Sequence, residues 1–283
     1  MVGPYDHIRG QRGTVSSQGP DLDVVAGYPI DPAAHIDIEG LRYQWFDYIF
    51  KGATKPAILR DKINYEIMGA NEWRHAPTMQ ATHDEVLTYR LNTSSDGAFH
   101  RLSRDRQPGD TFELRSVALA DRSDVNLVPP AAGLDTHLGV VYASTPFRKP
   151  VDLVGVFSGQ LDFVTNKKDF DVNVSLYELT AQHAYVGVTY YQARVSYIRS
   201  RTQRHLLVPG QRTRLDFTSS RFASWRFHAG SRLVVVLKLV KEPDIQINYG
   251  TGNDVSDETI ADATVPLKIE WFGDSFVAIP AWR

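Results

Sequence analysis

Thr264-Val265-Pro266-Leu267-Lys268-Ile269-Glu270-Trp271 places Val265, Leu267, Ile269 and Trp271 opposite Thr264, Lys268 and Glu270. Successive side chains of a strand point to opposite faces, so this stretch predicts a strand with one face buried and one wet. The same period-two pattern recurs in Ile63, Tyr65 and Ile67, in Leu87, Tyr89 and Leu91, in Val172, Val174 and Leu176, and in Leu215 with Phe217. Leu138 to Ala143 and Leu233 to Val240 are continuous apolar runs that suit strands buried on both faces. Ser95-Asp96-Gly97, Pro108-Gly109 and Pro209-Gly210 supply the turns between strands. About ten short strands with no helices between them predict a mainly β protein, an antiparallel β-sandwich of the jelly-roll kind.

The region before these strands reads differently. The first 35 residues are rich in Gly, Pro, Asp and Ser and read as loop. A helix is predicted over Ile38 to Lys51, with Asp37 as its N-cap and Gly52 as its stop. Ile38, Leu41, Trp45 and Ile49 form an apolar stripe at helical spacing, widened by Phe46 and Phe50. Such a stripe needs a partner surface, and its natural partner is a sheet that these residues do not supply. Composition shifts near residue 60, dividing the chain into residues 1–61 and 62–283.

Composition narrows the function classes. Among 283 residues, 31 Lys and Arg face 33 Asp and Glu, which predicts no special attraction to nucleic acid or to an anionic membrane. The absence of cysteine rules out disulfides, thiolate metal sites and a cysteine nucleophile. No apolar run approaches the roughly 20 residues that cross a bilayer. The expectation is a soluble protein, either cytoplasmic or exported.

Several short segments carry a resemblance. Val2-Gly3-Pro4-Tyr5-Asp6-His7 resembles the loop that presents the catalytic histidine in one group of α/β-hydrolases. Trp45-Phe46-Asp47-Tyr48-Ile49-Phe50-Lys51-Gly52 is similar to the last helix of that hydrolase domain. Tyr65 to Arg74 is similar to the strand and turn opening its C-terminal jelly roll. Tyr142 to Phe147, Asp169 to Val172, and Phe227 to Leu233 follow in the same order. The group comprises cocaine-esterase-type hydrolases, α-amino-acid ester hydrolases, glutaryl-cephalosporin acylases and X-Pro dipeptidyl-peptidases.

The resemblance implies a galactose-binding-like jelly roll over residues 62–283, preceded by the loop-and-helix end of an α/β-hydrolase domain over residues 1–61. It implies cleavage of small ester, amide or peptide substrates through an acyl-enzyme, with no cofactor and no metal. The partner it implies is the N-terminal α/β-hydrolase domain. Gly230-Ser231-Arg232 and Gly3-Pro4-Tyr5 depart from the group's usual motifs without touching a catalytic position.

In this group the triad runs Ser, then acid, then His. His7 matches the general base. As a sequence, the chain reads as beginning after its nucleophile, and alone it is expected to be inactive. Asp6 is adjacent to His7, so its side chain would usually point elsewhere. No Gly-x-Ser-x-Gly elbow occurs; Val156-Phe157-Ser158-Gly159 has the wrong glycine spacing, and Ser158 reads as a strand-end or turn serine. Without the resemblance, His7 is an ordinary loop histidine.

Other candidates have plainer readings. The nine histidines include no His-Glu-x-x-His, and His75 with His83 is not at helical spacing. Asp169 and Asp171 share a strand face, a geometry compatible with calcium but more often that of solvated carboxylates. Residues 194–232 hold nine arginines against Asp216 alone, with Tyr197, Phe222 and Trp225 interleaved. Alternating strands would split those arginines between two faces, so a solvated face is expected, with a domain or subunit interface second. The five tryptophans read as core or interface residues. The rival to a hydrolase fragment is a stand-alone jelly-roll module binding carbohydrate or protein. A third reading is a structural domain that forms a homo-oligomer through an uncovered apolar surface.

Overall fold

The apolar faces of period-two strands stay out of water only by meeting one another, and the observed architecture follows from that. The computed structural model describes residues 1–5, 24–25, 28–95, 99–104, 119–120, 134, 139–241 and 245–282. Its strands are β1 (Val24–Val25), β2 (Tyr28–Pro29), β3 (Ile63–Ile67), β4 (Glu72–Ala76), β5 (Glu85–Ser95), β6 (His100–Ser103), β7 (Leu119–Ala120), β8 (Gly139–Ala143), β9 (Val151–Gly155), β10 (Ser158–Thr165), β11 (Asp171–Leu179), β12 (Tyr185–Arg194), β13 (Thr213–Thr218), β14 (Ala223–Phe227), β15 (Arg232–Leu239), β16 (Lys268–Trp271) and β17 (Phe276–Trp282). Helix α1 spans Ile38–Lys51, and short 3-10 turns fill several connections.

Thirteen strands join in one hydrogen-bonded system in the order β12-β11-β15-β8-β6-β5-β17-β10-β16-β7. β13 lies beside β10, and β9 links β14 to β17. Its pairings are antiparallel except β6 with β8, where His100 lies opposite Tyr142 in parallel. This is the expected mainly β sandwich. β17 holds a central place, pairing with β5, β9 and β10.

The core lies between the sheet faces. Phe163, Phe170 and Trp271 meet edge to face, with ring centroids 5.2 to 6.2 Å apart. Val172, Val174 and Leu176 are fully buried, as are Leu233 through Leu237 on β15. Burying each such side chain contributes about 1.5–3 kcal/mol before conformational entropy is counted.

Three sequence expectations need correcting. The strand read from Thr264 begins only at Lys268, and Val265 is exposed. Pro266 cannot donate to a ladder. Asn166 instead brackets the entry, donating to the Pro266 carbonyl and accepting from Lys268 N. The arginine-rich segment is a solvated face only in part: Arg199, Arg201 and Arg221 are exposed. Arg194, Arg204, Arg212, Arg214 and Arg226 all bind buried aspartates. Asp169 and Asp171 are accordingly buried rather than solvated. The turns at Asp96-Gly97 and Pro108-Gly109, and the start of the Leu138 run, lie outside the described residues.

Asp162 has no exposed surface and accepts from Arg212 at 2.8 and 2.7 Å and from Arg214 at 2.8 Å. Burial alone would raise its pKa. The two guanidiniums more than reverse that and hold the carboxyl below its usual range. A carboxyl depressed in the folded state contributes stability above its unfolded value and loses it as pH falls through the folded one. Replacing Arg212 and Arg214 together by Ala strands this carboxylate. Urea unfolding at pH 7 should show a loss of about 3–5 kcal/mol, and the deficit should shrink toward pH 3 as Asp162 takes up a proton.

Candidate functional site

The N-terminal segment is fixed to the sandwich by backbone bonds. Val2 N donates to Asn64 O at 2.8 Å, and Glu66 N donates to Val2 O at 3.1 Å, so Val2 lies beside Tyr65 of β3. Tyr5 turns back onto Ala34, donating its hydroxyl to the Ala34 carbonyl at 2.7 Å. Tyr5 packs against Ile30 and Ala34. The chain is thus anchored two residues before His7. His7 and Asp6 themselves lie outside the described residues.

The β3–β4 hairpin holds the next part of the tail. Asp31 accepts from Gly69 N at 2.6 Å and Asn71 N at 3.2 Å. Ala33 N donates to the Asn71 side chain, and Trp73 Nε1 donates to the Ala33 carbonyl. The turn that permits this uses two left-handed residues, Gly69 at φ 84° and Asn71 at φ 55°. Met68 bridges Trp225 of β14, tying the hairpin to the sandwich.

Glu66 lies beneath this tail. It is buried, and no donor from the described protein reaches either carboxylate oxygen. Burial first, and then the Asp31 carboxyl beside it, raise its pKa to about 8. Burial, and then the Glu66 charge, also push the Tyr5 phenol upward. Glu66 and Tyr5 line a cleft of about 400 Å³.

The second surface is α1. Asp37 Oδ1 accepts from Gly40 N at 2.8 Å, and Gly52 ends the helix at φ 69°, as the sequence predicts. Lys51 pairs with Asp47 one turn earlier at 2.6 Å. Only Ile38 of the apolar stripe is buried. Trp45, Phe46, Ile49 and Phe50 are 37%, 53%, 50% and 76% exposed, so much of this face is left uncovered by the described residues. A cleft of about 790 Å³ runs between the helix and Leu59, with Met1 at its edge.

The other sequence candidates are occupied structurally. Ser158 opens β10 opposite Thr218 and Ala278. Gly159 beside it is a packing glycine, because a Cβ there would come 2.3 Å from the Phe276 carbonyl oxygen. Asp171 accepts from Arg194 and Asn248, and Asp169 accepts from Ser196 and Arg204. Nitrogen and hydroxyl donors thus take the oxygens that calcium would need. His75 meets Asp61 at 2.7 Å, while His83 contacts Thr82. Tyr142–Phe147 and Phe227–Leu233 interlock: Ser144 Oγ accepts from Leu233 N, and Arg232 donates to the Ser144 carbonyl. Sequence reasoning missed Glu66. A lone glutamate among apolar strand residues was the available signal.

A family model described as the X-Pro dipeptidyl-peptidase C-terminal non-catalytic domain matches residues 59–264. The chain belongs to that family. No curated protein matches it. Among solved structures, an aminopeptidase from a marine sediment Thaumarchaeota archaeon has a TM-score of 0.77 at 16% identity, covering 99% of this chain and 48% of its own. An α-amino acid ester hydrolase has a TM-score of 0.76 at 16% identity, covering 99% and 49%. A CocE/NonD family hydrolase from Staphylococcus aureus has a TM-score of 0.61 at 17% identity, covering 86% and 45%. At such identities the likeness is one of fold. The chain spans about half the length of these solved structures. Among the described residues, no helix is long and apolar enough to cross a membrane.

Glu66 makes the stability of this family member depend on pH. Between its unfolded value and about 8, the folded chain keeps a proton that the unfolded chain has released. Stability therefore falls as pH rises through that window and levels off above it. Glu66→Gln should flatten the slope between pH 5 and pH 8, giving a variant whose advantage over wild type in urea unfolding grows with pH.

Proposed function

We propose that this chain is the C-terminal portion of a serine hydrolase that cleaves small ester, amide or peptide substrates through an acyl-enzyme. Residues 1–61 are the tail of its α/β-hydrolase domain, and residues 62–283 are its jelly roll. One observation carries the reading: the segment leading into His7 is anchored on β3 beside a helix whose apolar face is uncovered. The family model's start at residue 59, close to that boundary, supports it. So does the near-complete overlap of the chain with two solved structures about twice its length, one an aminopeptidase and one an ester hydrolase.

In this reading His7 removes the proton of a nucleophilic serine and returns it to the leaving alcohol or amine. The 283 residues contain no Gly-x-Ser-x-Gly. The serine and the acid therefore belong to a hydrolase body outside them, and the exposed face of α1 packs against that body. Side chains supply every proton transfer, so the chemistry calls for no cofactor.

Fluorophosphonate treatment of the purified chain, read by intact mass, should give no adduct; a single modified serine would sink the assignment. Joined to its hydrolase body, His7→Ala should lower kcat/KM for an activated ester by at least about 10³-fold. The helix face offers a separate test. Alone, the chain should self-associate through it in light scattering. Phe46→Asp with Phe50→Asp should restore a monomer and shift stability by no more than about 0.5 kcal/mol per site, as expected for exposed positions.

A further inference from the structure

A cleft of about 1070 Å³ lies away from α1, on the side formed by β11, β12 and β13. Its described lining carries several guanidinium groups. Arg194 is committed to Asp171 through two bonds of 2.9 and 3.1 Å. Arg201 and Arg221 line it together with Asp216, whose carboxylate the Gln160 amide engages at 2.8 Å.

The cationic groups are set among rings. The Arg221 guanidinium lies 4.2 Å over the centroid of Tyr190 and donates to its hydroxyl. The loop beneath is fixed by Ser219, which donates to the Tyr190 carbonyl and accepts from Arg221 N. Tyr191 is stacked on Phe217, with centroids 4.6 Å apart. Burial raises the Tyr191 phenol, while the Arg201 charge acts in the opposite sense, as expected of a cation close to that hydroxyl. None of these groups serves the buried aspartates that hold the sandwich together.

We infer that this cleft is a binding site for a small organic anion, a carboxylate or phosphate ester carried on an apolar body. Guanidiniums present the planar pairs of N–H donors that match an oxyanion. Tyrosine rings supply the flat apolar surface that an inorganic ion does not use. The cleft has the size of small-molecule sites. Tyr190 and Arg221 also line the smaller cleft beside Val2–Tyr5, so the anion would lie next to the segment leading to His7. The site does not depend on His7 acting as a base.

Calorimetric titration of the chain at low salt tests this, using phenylacetate and phenyl phosphate as probes and phenylacetamide as the uncharged comparison. Both anions should bind saturably at one site, at least tenfold more tightly than the amide. Arg221→Ala and Arg201→Ala should each weaken binding about tenfold; both residues are exposed, and circular dichroism checks that the variants fold. Arg199→Ala, in a different cleft, should leave binding unchanged. Equal affinity for the amide, absence of saturation, or full binding by the double variant Arg201→Ala/Arg221→Ala would overturn the site. Inorganic sulfate binding as tightly as phenyl phosphate would overturn its organic selectivity. Because the readout is binding, either result is independent of whether the chain belongs to a hydrolase.

Discussion

A carboxylate taken out of water needs a cation, neutral donors or a proton to meet it, and of the six acidic residues buried among the described residues arginines meet four: Asp152, Asp162, Asp169 and Asp171. Three of the answering arginines sit directly across a strand ladder. Asp152 is opposite Arg226, Asp162 opposite Arg214, and Asp171 opposite Arg194. A slip of one residue in any of these pairings would turn the arginine to the wrong face and strand the acid. Apolar strands alone pack in several registers at similar cost. These pairs penalise the neighbouring registers, and the aromatic core packs onto strands held in the observed one.

The parts of the fold legible in the sequence are those governed by local rules. Helix α1 is one: Asp37 caps it, Gly52 stops it, and its boundaries depend on nothing distant. The buried alternation of Leu87, Tyr89 and Leu91 is another. What could not be read depends on partners far apart in the chain. Arg226 lies 74 residues from Asp152, so a run of arginines reads as a solvated surface until the ladder brings its acids alongside. The parallel contact of β6 with β8 leaves no mark on either segment. Val265 fits the strand period yet falls outside the strand, because a proline follows it.

The same division applies to the surfaces that carry function. Residues Val2 to Tyr5 and the apolar stripe of α1 were visible as motifs, and the structure adds the anchoring of Val2 on β3 and the cleft that Met1 shares with α1. Glu66 and the Tyr190–Arg221 pair were not visible. Glu66 looked like one polar position in an alternating strand, whereas its character comes from Asp31, 35 positions earlier in the chain, and from the tail crossing over it. Arg221 meets Tyr190 only when a loop folds back onto β12. In each case the chemistry arises from burial and proximity, which a linear pattern does not encode.

The placement of β17 has a consequence for how the molecule is made. Residues 276–282 form the strand that β5, β9 and β10 all pair with. During synthesis, nearly 200 residues must leave the ribosome after β5 before its central neighbour exists. Those earlier strands spend that interval with open edges and apolar faces, a state prone to wrong pairing with other chains. The ladders that join β5, β9 and β10 to β17 therefore close late in synthesis, because their shared partner lies so far along the chain.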